Sequence, residues 1–377
     1  MSARLLISCG EASGDLYAGA LARELQTLDP SISISGLGGP QLQAAGGQLI
    51  DDYRDLAVTG FTEVLPKLSR YVAAMRRLVD AAERERPDAL VVIDFPDFNF
   101  RLAQRIKRRG VPVVYYISPQ VWAWRRGRVN TIRRFADQVL VIFPFEEPIY
   151  RDAGVPVEFV GHPLVDLATP SAPREPFIRG RGLAPAAPTV AILPGSRANE
   201  VARILPDLLN AGRQIRAAVA DAQLLIARAP HLDDHLFREI EPQSHVRVVE
   251  GQTDAVLAAA DVALTASGTA TVQATLHDTP MVVVYRLSPI TYRLAKRLVR
   301  VGAIGMVNLI AGEVIVPELI QDAFTPACVA REAIAMLTDP DRATQIRGGL
   351  ARVRERLGGT GASRRAAQAI LRVAARR

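Results

Sequence analysis

Short apolar runs and longer amphipathic stretches alternate along the first half of the chain. The runs are rich in β-branched residues, and this alternation indicates a parallel sheet with helices on both faces. A helix is predicted over about 15–28, directly after the first run. The runs predicted as strands are RLLISCG from Arg4, ISISGLGG from Ile32, DALVVIDF from Asp88, VPVVYYIS from Val111, QVLVIFPF from Gln138 and VEFVGHP from Val157.

The alternation begins again at Thr189, after a stretch rich in Pro, Ala, Gly and Arg that is predicted as a linker over 168–188, with or without a short helical turn inside it. The pattern therefore predicts an α/β fold with two Rossmann-like, doubly wound domains, 1–167 and 189–357, and an active site in the cleft between them. A basic helical tail follows over 358–377, with Ser363 as the expected N-cap of its helix. The second-half strands are TVAILPGS, AQLLIARAP, VRVVEG, DVALTASG and PMVVVYR.

Composition and charge indicate which classes of partner the protein binds and in which cell compartment it works. The net charge of +7 and the pI near 9.8 favour an anionic partner, such as nucleic acid, anionic lipid or a phosphorylated substrate. Cys9 and Cys328 lie far apart, and the five histidines are scattered, so neither a disulfide framework nor a protein-built metal site is indicated. No apolar run approaches the ~20 residues that span a bilayer, and we expect a cytoplasmic protein that docks at most on a membrane surface.

The loop GEASGD follows the first predicted strand. Gly10 and Gly14 permit a tight turn with close backbone approach to a ligand, and Ser13 or Asp15 is placed to cap the next helix. Glu11 and Asp15 make the loop a poor phosphate cradle and suit the hydroxyls of an acceptor sugar. The alternative is a well-capped loop without a ligand.

Asp94 ends the buried strand of DALVVIDF, where α/β folds form their ligand clefts. A carboxylate emerging from an apolar strand is partly desolvated, which raises its pKa toward that of a useful general base. The alternative is that Asp94 caps a turn or a helix.

Two loops in the second half have the residue types of anion sites. Small residues at a helix N-terminus let a diphosphate approach backbone N–H groups, and an arginine adds a forked cationic donor. Together they favour a nucleotide diphosphate. The residues are Gly195, Ser196 and Arg197 in LPGSR, and Ser267, Gly268, Thr269 and Ala270 in TASGTATVQATL.

Two other stretches combine apolar residues with arginines. The segment YYISPQVWAWRRGRVNTIRR contains Trp122 and Trp124 among arginines. It could contact a phosphorylated amphiphile or stack on nucleic-acid bases, and the alternative is a helix with its tryptophans in the core and its arginines in solvent. The range Phe61–Val79 has an apolar stripe and a basic side, which fits either a bilayer interface or packing on the core. No nucleic-acid motif accompanies them, so nucleic acid ranks last.

Taken together, the motifs resemble the lipid-A-disaccharide synthase family, bacterial glycosyltransferases of the GT-B type. The likeness runs in order over nearly the whole chain. It is carried by GEASGD, AVTGFTEVL, IDFPDFN, SPQVWAWR, FPFE, VGHPLVD, LPGSR, ASGTAT, LAKRLV and VNLIAG.

The resemblance implies a reaction in which UDP-2,3-diacylglucosamine and 2,3-diacylglucosamine 1-phosphate (lipid X) give the β(1→6) disaccharide 1-phosphate and UDP. It implies that Asp94 is the base, that Arg197 and the loop Ser267–Ala270 stabilise the leaving diphosphate, and that no metal or other cofactor is needed. Asn308 matches a polar residue near the donor pocket. Gln273 stands where the family has a Glu that binds the ribose hydroxyls, and two consequences stay open: a lower affinity for the donor, or a neighbour that supplies the missing acceptor.

The acylated substrates implied by the resemblance favour the stripe as an acyl-chain or bilayer contact, and the basic surface with the arginines at 125–128 then suits anionic lipid and the acceptor phosphate. Peripheral binding at the inner face of the plasma membrane is therefore expected. The family also suggests a homodimer, with the tail either packed back on the first domain or exchanged between copies. Two alternatives stay open. One is another GT-B enzyme of UDP-N-acetylglucosamine, a transferase or a 2-epimerase, and the other is a non-catalytic binder of anionic lipid or nucleic acid.

Overall fold

The computed structural model describes residues 3–56, 64–119, 127–238, 240, 245–286, 303 and 305–376. The chain forms two compact units, Met1–Val165 with Leu357–Arg377 and Asp166–Arg356. Each unit has its own parallel sheet with helices around it, which confirms the predicted fold class.

The sheet of the first unit has the strand order β3-β2-β1-β4-β5-β6-β7, and its paired strands are parallel. Its central strands are continuous apolar runs because helices cover both faces. The strands are β1 (Arg4–Ser8), β2 (Ser33–Gly38), β3 (Gln48–Asp52), β4 (Ala89–Ile93), β5 (Val113–Tyr116), β6 (Gln138–Val141) and β7 (Val157–Phe159).

The sheet of the second unit has the order β10-β9-β8-β11-β12-β13, again with parallel pairs. Its strands are β8 (Thr189–Leu193), β9 (Gln223–Arg228), β10 (Val246–Glu250), β11 (Val262–Ala266), β12 (Met281–Tyr285) and β13 (Glu318–Ile320).

Helices connect the strands in both units, and none that the structure describes is long and apolar enough to cross a membrane. Short 3-10 turns occur at Tyr53–Asp55, Asp234–Phe237 and Gln321–Ala323. The α-helices described are α1 (Ala12–Leu28), α2 (Pro40–Ala44), α3 (Val64–Glu85), α4 (Pro96–Lys107), α5 (Arg128–Arg133), α6 (Glu146–Asp152), α7 (Leu164–Leu167), α8 (Arg174–Arg179), α9 (Ala198–Ala218), α10 (Thr253–Ala258), α11 (Thr269–Leu276), α12 (Met306–Ala311), α13 (Pro326–Thr338), α14 (Pro340–Arg356) and α15 (Ala362–Ala374).

The stretch 168–188, predicted as a linker, belongs to the second unit. Helix α8 lies inside it and buries Phe177 and Ile178. The Arg174 guanidinium makes two hydrogen bonds to Asp261, at 3.0 and 2.9 Å. Two buried apolar side chains and a bidentate ion pair hold this segment on its own unit, which its Pro-rich composition did not indicate.

The C-terminal tail packs on the first unit of the same chain, where α15 lies against α1 and contacts β4 and β5. Arg365 donates to the Val160 carbonyl at 2.9 Å, and Arg372 pairs with Glu158 at 2.7 Å. The prediction that Ser363 caps this helix is wrong. Gly361, with a φ of 82°, holds the N-cap position because that left-handed conformation suits glycine.

Both sheets have a topological switch point, where consecutive connections leave in opposite directions and ligands of α/β folds bind. It lies between β1 and β4 in the first unit and between β8 and β11 in the second. The loops singled out in the sequence follow these four strands.

Candidate functional site

A buried asparagine joins the two loops at the switch point of the first unit. Asn99 is fully buried and accepts a hydrogen bond from the Ser8 hydroxyl at 2.7 Å. Its amide donates to the carbonyls of Ser8, Ile93 and Asp94 at 3.2, 3.2 and 2.8 Å. The ends of β1 and β4 are thereby fixed to each other beside Asp94.

The Asp94 turn has a strained backbone. Asp94 and Phe95 have φ values of 43° and 49°, and Ile117, whose carbonyl accepts from the Asp94 N–H at 3.1 Å, has a φ of 57°. Left-handed conformations in non-glycine residues cost about 1–3 kcal/mol each and cluster at functional sites. The Tyr115 hydroxyl donates to the Asp94 carbonyl at 3.0 Å, so a second side chain also holds this turn.

Asp94 lies half-buried at the carboxyl edge of the sheet, as the base hypothesis requires. The N-cap of α4 is Phe95, followed by Pro96, so Asp94 does not occupy the cap position. Its negative charge and the burial of Tyr115 together raise the pKa of that phenol well above its usual value, with burial the larger cause.

The glycine of the first loop makes room for a ring and not for a ligand. A Cβ on Gly10 would lie 2.1 Å from Cγ of Phe95. The expected close approach of the Gly10 backbone to a ligand is therefore wrong, because the Phe95 ring occupies that space. This packing is a second link between the loops after β1 and β4.

Asp15 has a structural role that the sequence did not indicate. It is 1% exposed, and its carboxylate accepts from the N–H groups of Gly39, Gln41 and Leu42 at 2.8, 2.9 and 3.1 Å. It thus caps α2 and not α1, whose N-cap is Glu11 without a side-chain cap bond. This engagement argues against the predicted contact between Asp15 and a sugar.

Glu11 and Ser13 remain half-exposed on the first turn of α1 and stay predictions as acceptor-binding groups. Burial raises the pKa of Tyr71 to about 12, with the charges of Asp97 and Glu11 as further causes. Glu11 therefore lies within electrostatic reach of Tyr71 on α3.

His162 is buried between aromatic rings, at 6.0 Å from the Tyr17 centroid and 5.3 Å from that of Phe143. Burial lowers its pKa to about 3, so the imidazole is neutral at physiological pH. Its Nδ1 accepts from the Leu164 N–H at 3.1 Å, which gives it a structural role.

In the second unit, the loop Gly195–Arg197 ends β8 and leads into α9. Gly195 has a φ of 115°, a conformation that favours glycine. The Ser196 carbonyl lies 2.8 Å from Nε2 of His231, and Arg197 pairs with Glu200 at 2.9 Å. The side chain of Arg197, the N-cap residue of α9, does not cap the first turn, and the N–H groups at a helix N-terminus are typical anion donors.

The loop Ser267–Ala270 follows the neighbouring strand β11 and leads into α11. The Ser267 N–H donates to the Val284 carbonyl at 2.9 Å, which holds the loop on β12. Gly268 is the N-cap, with a φ of 155° and open space where a side chain would lie. The two predicted anion loops therefore lie side by side at one switch point, on adjacent strands.

A carboxylate that the sequence reasoning missed lies beside Gln273. The Gln273 amide donates to both oxygens of Asp254, at 3.1 and 3.2 Å, and Nε2 of His277 lies 2.9 Å from Asp254 Oδ1. Asp254 is on the first turn of α10, which packs on α11. This neighbour supplies a carboxylate next to the position where the family has its glutamate.

Asn308 is buried within its own segment. Its amide donates to the Val316 carbonyl and to Glu318 at 2.9 and 2.7 Å. Its carbonyl oxygen accepts from the N–H groups of Ile315 and Val316 at 2.9 and 3.1 Å. Because both ends of the amide are engaged, the geometry argues against a direct contact with the donor.

Several sequence predictions fall outside the described residues. These include Trp122, Trp124 and the arginines 125–126, together with LAKRLV, the beginning of the stripe at 61–63 and the stripe side chains at 64–68. Of the stripe members that are described, Met75 and Val79 are buried in the core, whereas Val72 is 42% exposed. No group of three or more His, Cys, Asp or Glu in the described ranges could hold a metal ion.

Comparison with known proteins decides the family. The family model described as Lipid-A-disaccharide synthetase matches residues 5–373. The lipid-A-disaccharide synthase of Syntrophus aciditrophicus (strain SB) is 44% identical over 367 residues, 96% of this chain and 96% of the relative. The chain belongs to the lipid-A-disaccharide synthase family. This confirms the predicted family and the predicted enzyme class, a hexosyltransferase of lipid A synthesis, and excludes the non-catalytic alternative.

Solved structures with the same fold include the UDP-GlcNAc 2-epimerase from Neisseria meningitidis bound to UDP-GlcNAc, with a TM-score of 0.66, 11% identity and coverage of 100% of both chains. The calicheamicin glycosyltransferase CalG4 has a TM-score of 0.62 at 18% identity and covers 100% of this chain and 99% of its own. At these identities the likeness shows the GT-B fold alone, so it does not bring epimerase activity to the chain.

Proposed function

We propose that the chain transfers diacylglucosamine from UDP-2,3-diacylglucosamine to the 6-hydroxyl of 2,3-diacylglucosamine 1-phosphate. The products are the β(1→6) disaccharide 1-phosphate and UDP. Family membership supports the reaction. The observation that carries the assignment of roles is the Asp94 turn, a strained carboxylate-bearing turn clamped by Asn99 at the switch point of its unit.

The proposed chemistry is one displacement with inversion. As the acceptor O6 forms its bond to the anomeric carbon, its proton moves to the Asp94 carboxylate and the bond from that carbon to the UDP oxygen breaks. Such general-base catalysis contributes about 10²–10⁴-fold and needs a base fixed within hydrogen-bond reach of the hydroxyl. Asn99 and Tyr115 supply that fixation through the Asp94 carbonyl. Glu11 and Ser13 are proposed to hold other acceptor hydroxyls.

The second unit is proposed to bind UDP. Its diphosphate would accept from the N–H groups at the starts of α9 and α11, while Arg197 exchanges Glu200 for a phosphate oxygen. Donors fixed before the reaction stabilise the charge that develops on the leaving group. Because these groups are cationic or amide donors, the proposed scheme includes no metal or other cofactor.

We assign the ribose hydroxyls to Asp254 and Gln273. The Gln273 amide is committed to Asp254, which leaves its carbonyl oxygen and the carboxylate as acceptors for two adjacent hydroxyls. His277 orients that carboxylate from the other side. Asn308 is proposed to act only indirectly, by holding the segment that follows α12.

Association with the anionic face of the inner membrane is also proposed. Support comes from the net charge of +7 and from the exposed arginines of α3 and α4, such as Arg76 and Arg105. The homodimer stays a prediction.

The test is the formation of disaccharide 1-phosphate and UDP from the two diacylated sugars by purified protein, with product linkage read by NMR. We expect UDP release that requires both acylated sugars and a β-linked product. Epimerisation of UDP-N-acetylglucosamine without turnover of the diacylated donor would overturn the assignment.

A further inference from the structure

Three neighbouring strands of the second unit bring the loops that follow them to one edge of the sheet. The strand order β10-β9-β8-β11 places the loop Gly195–Arg197, after β8, between the segment after β9 and the loop Ser267–Ala270, after β11. The two named loops are the ones proposed to hold the diphosphate. The segment after β9, over 229–234, carries His231, which the proposed function does not use.

His231 contacts the backbone of the loop Gly195–Arg197. Its Nε2 lies 2.8 Å from the Ser196 carbonyl oxygen. A carbonyl oxygen can only accept, so this ring nitrogen carries the proton. Both the neutral Nε2–H tautomer and the charged imidazolium have that donor, and the bond therefore forms in either protonation state of the ring.

This hydrogen bond fixes the peptide that leads into α9. A peptide unit is planar and trans, so the Ser196 carbonyl and the Arg197 N–H point in opposite directions. Arg197 is the N-cap residue of α9, and its own carbonyl accepts from the N–H groups of Glu200 and Val201 at 2.9 and 3.0 Å. A hold on the Ser196 carbonyl therefore also sets the direction of the Arg197 N–H at the start of the helix.

The loop benefits from such a hold because it begins with a glycine. Gly195 has a φ of 115°, and a glycine lets the peptides around it rotate at low cost. When a loop binds an anion through its N–H groups, part of the binding free energy is spent on ordering those peptides. A hydrogen bond that orders them before the ligand arrives removes that cost and leaves a tighter site.

An arginine at the end of β9 orders the backbone that carries His231. The Arg228 guanidinium donates to the Leu232 carbonyl at 2.7 Å and pairs with Asp234 at 2.5 Å. Leu232 is buried, and Pro230, directly before His231, has a φ that its ring restricts. The imidazole is thus exposed to solvent but stands on a fixed segment.

We propose that His231 is a positioning residue for the diphosphate of the donor. Its Nε2–H holds the Ser196 carbonyl and so presets the loop Gly195–Arg197 for the anion. The proposal rests on the proposed function, because it takes this loop as part of the diphosphate site. The proposed role belongs to the hydrogen bond and not to a charge on the ring.

The test removes the hydrogen-bond donor and then restores it. His231→Ala should raise the Kd of UDP in calorimetry and the KM of the UDP donor about five- to tenfold, as for the loss of one net hydrogen bond, with the acceptor KM unchanged. His231→Gln places an amide N–H near the position of Nε2 and should recover most of the affinity, whereas the shorter His231→Asn should not. His235→Ala is the matched control, since that exposed histidine of the same segment pairs with Asp233 at 3.0 Å and its loss should change neither constant.

Thermal melting separates positioning from folding. Because the bond is exposed, His231→Ala should move Tm by no more than about 2 °C. An unchanged Kd of UDP in folded His231→Ala overturns the proposal. A raised Kd that His231→Gln does not recover also overturns it, because the effect would then come from the charge or the shape of the ring. Failure of the unmodified protein to bind UDP would instead refute the proposed function.

Discussion

Replacing Asn99 by Ala tests whether the buried clamp creates the Asp94 turn. The variant loses the acceptor for the Ser8 hydroxyl and the two amide donors that the carbonyls of Ser8, Ile93 and Asp94 share. At about 1 kcal/mol for each net hydrogen bond, the loss is about 3 kcal/mol. The left-handed backbone of Asp94 and Phe95 costs about 1–3 kcal/mol for each residue, and without the Asn99 amide these hydrogen bonds no longer hold it in that conformation.

Two measurements follow. For a unit of this size, each kcal/mol shifts Tm by about 2–4 °C, so the Asn99→Ala melting transition should fall by about 6–12 °C. The kcat should fall at least tenfold while the KM for the UDP donor stays unchanged, because the loops that we propose to bind the donor belong to the other unit. Asn210→Ala, at an exposed asparagine of α9, is the control and should change neither. A normal kcat in folded Asn99→Ala would show that the Asp94 geometry does not depend on the clamp.

Three further outcomes are expected. Asp94→Asn should lower kcat by about 10² or more with donor binding kept in calorimetry, and near-normal turnover would remove Asp94 from the base role. Gln273→Glu should raise the KM for the UDP donor because the new carboxylate repels that of Asp254, and Asp254→Asn should raise it by removing the carboxylate acceptor. The double variant should recover most of the lost donor affinity. A double variant with the KM of the single variants contradicts the ribose assignment. Folding lowers the pKa of His162 to about 3, so below about pH 6.5 the unfolded chain binds a proton at this residue that the folded chain does not. The free energy of unfolding should therefore fall by up to about 1.4 kcal/mol per pH unit from about pH 6.5 toward pH 3. His162→Asn should flatten that part of the curve of Tm against pH.

The strands that form the centre of each sheet could be predicted because their burial on both faces leaves continuous apolar runs. Strands β3 and β13 were missed, since QLIDD and ELI are short and partly polar. They lie at sheet edges, where one side lacks a neighbouring strand and the demand for apolar residues is weaker.

The candidate site could be predicted from the sequence only as far as local sequence patterns reach. Asp94 and the two anion loops follow strands and precede helices, a context that the sequence displays. The role of Asp15 depends on N–H groups 24 to 27 residues away, and Asn99 joins Ser8 across 91 residues. Asp254 likewise meets Gln273 only once α10 packs on α11, so no spacing along the chain could indicate it.

Because the C-terminal tail packs on the first unit, the two units can complete their folding only in a certain order during synthesis. The second unit is one continuous segment, Asp166–Arg356, and can fold as soon as it leaves the ribosome. The first unit lacks α15 until the residues from Leu357 onward have been made, and until then the surface of α1 that α15 covers stays uncovered. In the nascent protein the second unit is therefore complete in sequence before the unit that carries Asp94, although the chain of the first unit begins earlier.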